Sequence, residues 1–201
     1  MKLSENGFTI KKETPVKMVL VELFGMILSG KTFHLIRNKI DMAKIIKPDS
    51  KSQTSSGPKI FLAGSIEMGK AIDWQSEVEN LLSGHNVTVY NPRRISWDMN
   101  WEQCETNPEF RNQVNWEMNN IDNSDIIFMN FVEETMSPIS LLELGHISAT
   151  NPSKLIVCCP KKFWRRGNVQ IVCSRESIPL FDNIEESMAS LLTRVEKLTN
   201  I

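Results

Sequence analysis

Short apolar runs, spaced at intervals that leave room for a helix between them, constrain this chain more than any other feature. "KIFLAG" (59–64), "VTVYNP" (87–92), "DIIFMNF" (125–131) and "KLIVCCP" (154–160) are too short for buried helices and are bounded by Gly, Asn, Asp or Pro. Runs of that length with such flanks are buried strands. A helical pattern with Ile72, Val78, Leu81 and Leu82 follows the first of them, at about 69–83. Another helix opens at "NPEF", with Asn107 as its cap and Pro108 at its first position. "SPISLLELG" (137–145) makes a third, "VQIVC" (169–173) reads as a fifth strand, and a closing helix is expected at about 183–198. Apolar strands alternating with helices predict an α/β fold: a doubly wound, flavodoxin- or Rossmann-like sheet of five parallel strands, helices on both faces.

"KPDSKSQTSSGP" (47–58) has no apolar residue and reads as a linker. It divides an N-terminal accessory segment, 1–46, from a catalytic domain, 59–201. The longest apolar run of the segment, "MVLVELFGMIL" (18–28), is too short to span a bilayer and contains Glu22. A formal net charge of −1 offers no basic field for polymeric nucleic acid or for an anionic membrane. The four cysteines form no CxxC pair, and three lie in apolar runs, the usual place of buried free thiols in a reducing, cytoplasmic setting. His34, His85 and His146 stand apart and make no metal set.

Doubly wound sheets bind ligands beyond the carboxyl ends of their strands, near the point where strand order reverses. Three segments qualify: "GSIEMG", "NPRRISWDMNW" and "EETMSPISLLELG". In the last, Glu143 is enclosed by Ile139, Leu141, Leu142, Leu144 and Ile147 on a helix that begins at Ser137 and Pro138. A helix apolar around most of its circumference is buried, and a buried carboxylate needs a partner or a purpose. The pattern leaves a structural and a reactive Glu143 equally open, and its place after the third strand favours the reactive one. Glu117, beside Trp116 near a helix end, is either a solvated acid or the second member of a carboxyl pair. Trp97 and Asp98 suit a nucleobase or sugar, and serve equally well as a lid on the core.

"IFLAGSI", "NPRR", "WEMNNIDNSDIIF", "SPISLLELG" and "FWRRGNVQIVC" together resemble the nucleoside 2-deoxyribosyltransferase superfamily, which includes deoxynucleoside 5′-monophosphate N-hydrolases. The resemblance covers roughly 58–182. It implies a retaining mechanism without metal or organic cofactor, in which Glu143 attacks C1′ and Glu117 protonates the departing base. It places Gly64 and Ser65 beside the sugar. Asn168 falls where transferases reach a neighbouring subunit's sugar 5′-hydroxyl, so a homo-oligomer acting on small nucleosides, nucleotides and nucleobases is implied. Phe61 stands where many relatives carry a Tyr that steadies the nucleophile. Ser137 resembles the hydrolases, in which it holds a 5′-phosphate, whereas Glu67 replaces their Arg and would repel one. Arg165 and Arg166 are the cations available to compensate. The leading expectation is deoxyribosyl transfer between nucleobases. The alternatives are hydrolysis of a nucleoside 5′-monophosphate or of a different N-riboside, and a nucleotide sensor without turnover.

Overall fold

The computed structural model describes residues 42–51, 53–94 and 100–199. Most of the accessory segment, 1–41, lies outside the described residues, as do Trp97 and Asp98. Six parallel strands are described: β1 (Lys44–Ile46), β2 (Lys59–Gly64), β3 (Thr88–Tyr90), β4 (Ile126–Asn130), β5 (Leu155–Cys158) and β6 (Leu180–Phe181). The helices are α1 (Trp74–Leu82), α2 (Pro108–Asn123), α3 (Pro138–Thr150), α4 (Arg166–Arg175) and α5 (Ile184–Thr199). The strands lie in the order β1-β3-β2-β4-β5-β6.

The α/β doubly wound class is as expected, and two details differ. "VQIVC" is the middle of α4, not a strand. Its apolar residues follow a helical spacing: Val169 and Cys173, four apart, are buried, while Ile171 between them is 64% exposed. The strand role on that side belongs to Leu180–Phe181, two residues long. On the other side Lys44–Ile46, from the segment read as accessory, pairs in parallel with β3. The sheet therefore has six strands rather than five among the described residues.

Each face of the sheet builds its own core. Ile60, Leu62, Val89, Ile126, Phe128 and Ile156 point to one side and meet Trp74, Val78 and Leu82 of α1 and Leu191 and Val195 of α5. Phe61, Ala63, Ile127, Met129 and Val157 point to the other and meet Ile121 of α2, Leu144 and Ile147 of α3, and Val169 and Cys173 of α4. The alternation of side chains along a strand makes two cores from one apolar run. The 47–58 stretch takes no helix or strand where it is described, yet it is tied down: Ser56 N–H donates to Thr88 Oγ1 at 2.8 Å, and Thr88 Oγ1 donates to Ser56 O at 2.7 Å.

Chain direction sets the site. From β2 the chain moves through α1 to β3, then returns through α2 to β4, on the opposite side of β2. The order reverses between β2 and β4, and sheets of this kind bind ligands beyond the carboxyl ends of the strands at such a reversal. Gly64 ends β2 opposite Asn130 of β4 with φ of 132°. A Cβ at that position would lie 2.1 Å from Asn130 O, so only glycine permits this approach.

Candidate active site

Two helices bring a carboxyl each into one another's neighbourhood. Asn107 caps α2, its Oδ1 accepting from Phe110 N–H at 3.0 Å, with Pro108 at the first helical position. About one and a half and two and a half turns on, α2 carries Gln113 and Glu117, four residues apart and therefore on one face. Gln113 is buried, and its Nε2 donates to Glu117 Oε1 at 2.6 Å and to Pro92 O at 3.2 Å. Glu143 stands on α3, whose sheet-facing stripe is Ser140, Leu144, Ile147 and Ser148. At 3.6 residues per turn Glu143 falls on one flank of that stripe and Leu141 and Gly145 on the other.

Each glutamate keeps some contact with solvent as a residue, while its carboxyl is crowded by protein. Burial raises the Glu143 carboxyl to about 8, and the neighbouring Glu117 carboxyl adds to the rise. Burial likewise raises Glu117 to about 7, against the Gln113 hydrogen bond and the Arg94 charge, which both hold it down. Two carboxyls that resist ionisation and each other release their protons in succession. Near neutral pH such a pair holds one charge and one proton, which together are a nucleophile and an acid.

Of the other residues expected here, Ser65, Ser137 and Gly64 come together and Phe61 and Asn168 do not join them directly. Phe61 is fully buried, its ring tilted against Trp116 at 6.3 Å, so it supports the site from beneath rather than lining it. Tyr90 meets the other side of Trp116, edge-on at 6.1 Å. Asn168 lines a groove between α3 and α4 with Leu141, Gly145 and Arg165, on the flank of α3 away from Glu143. Ser137 begins α3 but does not cap it: with φ of 45° its hydroxyl turns inward. There it meets Ser65 Oγ at 2.6 Å and Thr135 Oγ1 at 2.8 Å, and those two meet each other at 2.7 Å. Val132 N–H donates to Ser65 Oγ at 2.9 Å, and Thr135 Oγ1 donates to Val132 O at 2.8 Å.

The amides at the start of α3 have a different partner. Glu67 Oε1 accepts from Met136 N–H at 2.8 Å and from Ser137 N–H at 2.6 Å. Arg166 is engaged elsewhere, bonding Asp182 Oδ1 at 2.7 Å and Cys159 O. The Arg165 guanidinium lies 4.2 Å over the Trp164 ring. Sequence reasoning missed Gln113 and Arg94 as partners of Glu117. The four-residue spacing in "QVNWE" was a usable signal for Gln113. "NPRR" marked the segment but not the partnership of Arg94 with Glu117, which depends on where the β3–α2 loop starts.

The outer side of α3 is not buried as its composition implied. Ile139 is 60% and Leu142 69% exposed, with Met136 exposed beside them. The helix lies on the sheet along one stripe only, and its remaining apolar circumference faces outward among the described residues. No helix among those residues is long and apolar enough to cross a membrane.

A family model described as nucleoside 2-deoxyribosyltransferase like matches residues 57–163, just over half of the chain, from the start of β2 to the turn before α4. Glu67, Glu117, Ser137 and Glu143 lie inside the match, and Asn168 lies beyond it. No curated protein matches the chain.

Proposed function

The chain belongs to the nucleoside 2-deoxyribosyltransferase-like family, and on that premise we propose that it cleaves the N-glycosidic bond of 2′-deoxyribonucleosides and passes the deoxyribosyl group to another nucleobase. The observation that carries the reading is a pair of crowded carboxyls, Glu143 on α3 and Glu117 on α2, near enough that the Glu117 carboxyl adds to the rise of Glu143. Glu117 ionises before Glu143, so the reactive form is the one in which the single proton of the pair has moved to Glu117. Ionised Glu143 then attacks C1′, the C1′–N bond breaks, and the proton of Glu117 passes to the leaving nitrogen. The sugar is then held as an ester of Glu143. An incoming base attacks C1′, gives its proton to Glu117, and releases the Glu143 carboxylate. Two displacements retain the configuration, and the mechanism needs carboxyls about 5–5.5 Å apart. Water in place of the incoming base turns the same sequence into hydrolysis.

We infer that Gly64 and Ser65 border the sugar, that Trp97 and Asp98 serve the base, and that the protein works as a homo-oligomer in the cytoplasm. The exposed apolar side chains of α3 support the last reading, because contiguous patches of that kind mark interaction surfaces. Asn168, on the groove beside this face, is then available to a neighbouring copy's site rather than its own.

Chromatography of the protein with each 2′-deoxynucleoside, with and without a second free base, tests the reaction. A new deoxynucleoside is expected only when the acceptor is present. Glu143→Ala should remain folded and lose activity on the order of a thousandfold or more. Release of free sugar regardless of acceptor would replace transfer by hydrolysis, and full turnover by Glu143→Ala would remove Glu143 as the nucleophile.

A further inference from the structure

The first turn of α3 is an anion site already filled by the chain itself. Ser137 takes a left-handed conformation, so two successive amides, those of Met136 and Ser137, converge on one point at the positive end of a thirteen-residue helix. Such concavities attract phosphates and carboxylates. Glu67 Oε1 occupies this one, at 2.8 and 2.6 Å. The chain accepts strain to place it there, since Glu67 itself has φ of 48°. The loop that carries it is fastened on both sides. Trp74 Nε1 donates to Ser65 O at 2.9 Å, and the Arg93 guanidinium donates to Gly69 O, Ala71 O and Ile72 O at 2.8–3.2 Å.

The hydroxyls beside it have nothing left to offer an anion. Ser65, Thr135 and Ser137 have one proton each, three in all, for three contacts with one another and one with Val132 O. Ser137 is buried, and its hydroxyl is spent on that network.

Glu143 lies six residues beyond Ser137, about 9 Å along the axis at the α-helical rise. Helical side chains lean toward the N-terminus, which brings the Glu143 carboxyl back to within the reach of a pentose. A sugar held at C1′ by Glu143, its base directed to Glu117 on α2, extends its 5′ end toward the first turn of α3. We propose that Glu67 determines specificity there, as a resident carboxylate that excludes a 5′-phosphate and selects substrates with a free 5′-hydroxyl. The proposal rests on the reading of Glu143 as the group that holds C1′. A phosphate arriving at this point meets a like charge and finds both amides occupied. A hydroxyl instead donates to Glu67 Oε2, which has no hydrogen-bond partner among the described residues.

The test is the ratio of kcat/KM for a 2′-deoxynucleoside to that for its 5′-monophosphate, in the wild type, Glu67→Gly and Glu67→Gln. Glycine suits the left-handed backbone and empties the site, while Gln keeps the shape and removes the charge. The wild type should favour the nucleoside by about 100-fold, the scale of two charge-assisted hydrogen bonds lost and one repulsion gained. Glu67→Gly should lower that ratio at least about tenfold, through faster turnover of the monophosphate, and Glu67→Gln should fall between. Equal use of both substrates by the wild type would overturn the proposal, as would a ratio unmoved in both variants. If the wild type turns over neither substrate, the glycosidic reading fails, and calorimetric titration with inorganic phosphate judges Glu67 by itself. Phosphate binding to Glu67→Gly and not to the wild type would uphold it, and the same response from both would overturn it.

Discussion

At the scale of single residues, the proposed chemistry depends on a proton shared unequally by two acids. With Glu117 at about 7 and Glu143 at about 8, the singly ionised pair predominates between those values. Below it both carboxyls are protonated and no nucleophile exists; above it both are ionised and no acid remains. The pH profile of kcat/KM should therefore be a narrow bell centred between 7 and 8, and a broad plateau from pH 5 to 9 would contradict the pairing. Gln113 holds the Glu117 value down through its 2.6 Å hydrogen bond. In Gln113→Leu that restraint disappears, so the acid limb, set by the lower value of about 7, should move upward by about one pH unit and the bell should narrow. An unmoved limb would show that the contact does not tune the acid. Glu143 was legible beforehand because a carboxylate surrounded by leucines is conspicuous in any helix. Glu67 was legible only as an oddity. Its partners lie 69 and 70 positions away along the chain and bond through backbone amides, which side-chain identity does not reveal.

At the scale of elements, the strands with both faces buried were readable from their apolar runs, and the misreadings fall where length or exposure departs from that rule. "VQIVC" has four apolar residues in five, as a strand would, but the spacing of Val169 and Cys173 is that of a helix flank. β6 has two residues and β1 three, too few to form a recognisable run. α3 was correctly read as a helix, while its expected burial holds only for the stripe on the sheet. The outward residues Ile139 and Leu142 lead to a prediction of their own. Leu142→Glu sets a charge in the middle of that face, and light scattering should show the assembly dissociating, with the monomer's Tm within a few degrees of the wild-type value. A wild type that is already monomeric at micromolar concentration, or a variant that stays assembled, would show that this face is not the interface.

At the scale of the whole molecule, the site lowers the stability of the fold that carries it. Both carboxyls sit above the usual value of 4.5, so the folded chain holds these protons more tightly than the unfolded chain does. The stability tied to them is fully present below about pH 4.5 and is lost as pH rises through about 7 and 8. Glu143→Gln removes one of the two charges. Thermal unfolding should show the variant more stable than the wild type by a few degrees at pH 8.5, with the gap closing toward pH 4. A gap independent of pH would assign the change to packing.

Among the described residues the sheet ends in short strands, β1 with three residues on one side and β6 with two on the other. Unpaired strand edges are where β-proteins recruit one another into fibrils, and a two- or three-residue edge gives a passing chain almost nothing to extend. Among the described residues a patch of exposed apolar side chains lies instead on the side of a helix, α3, which accepts side chains and not a backbone ladder. Crowding should thus favour small, closed and reversible assemblies through that helix over fibrils built on the described sheet edges.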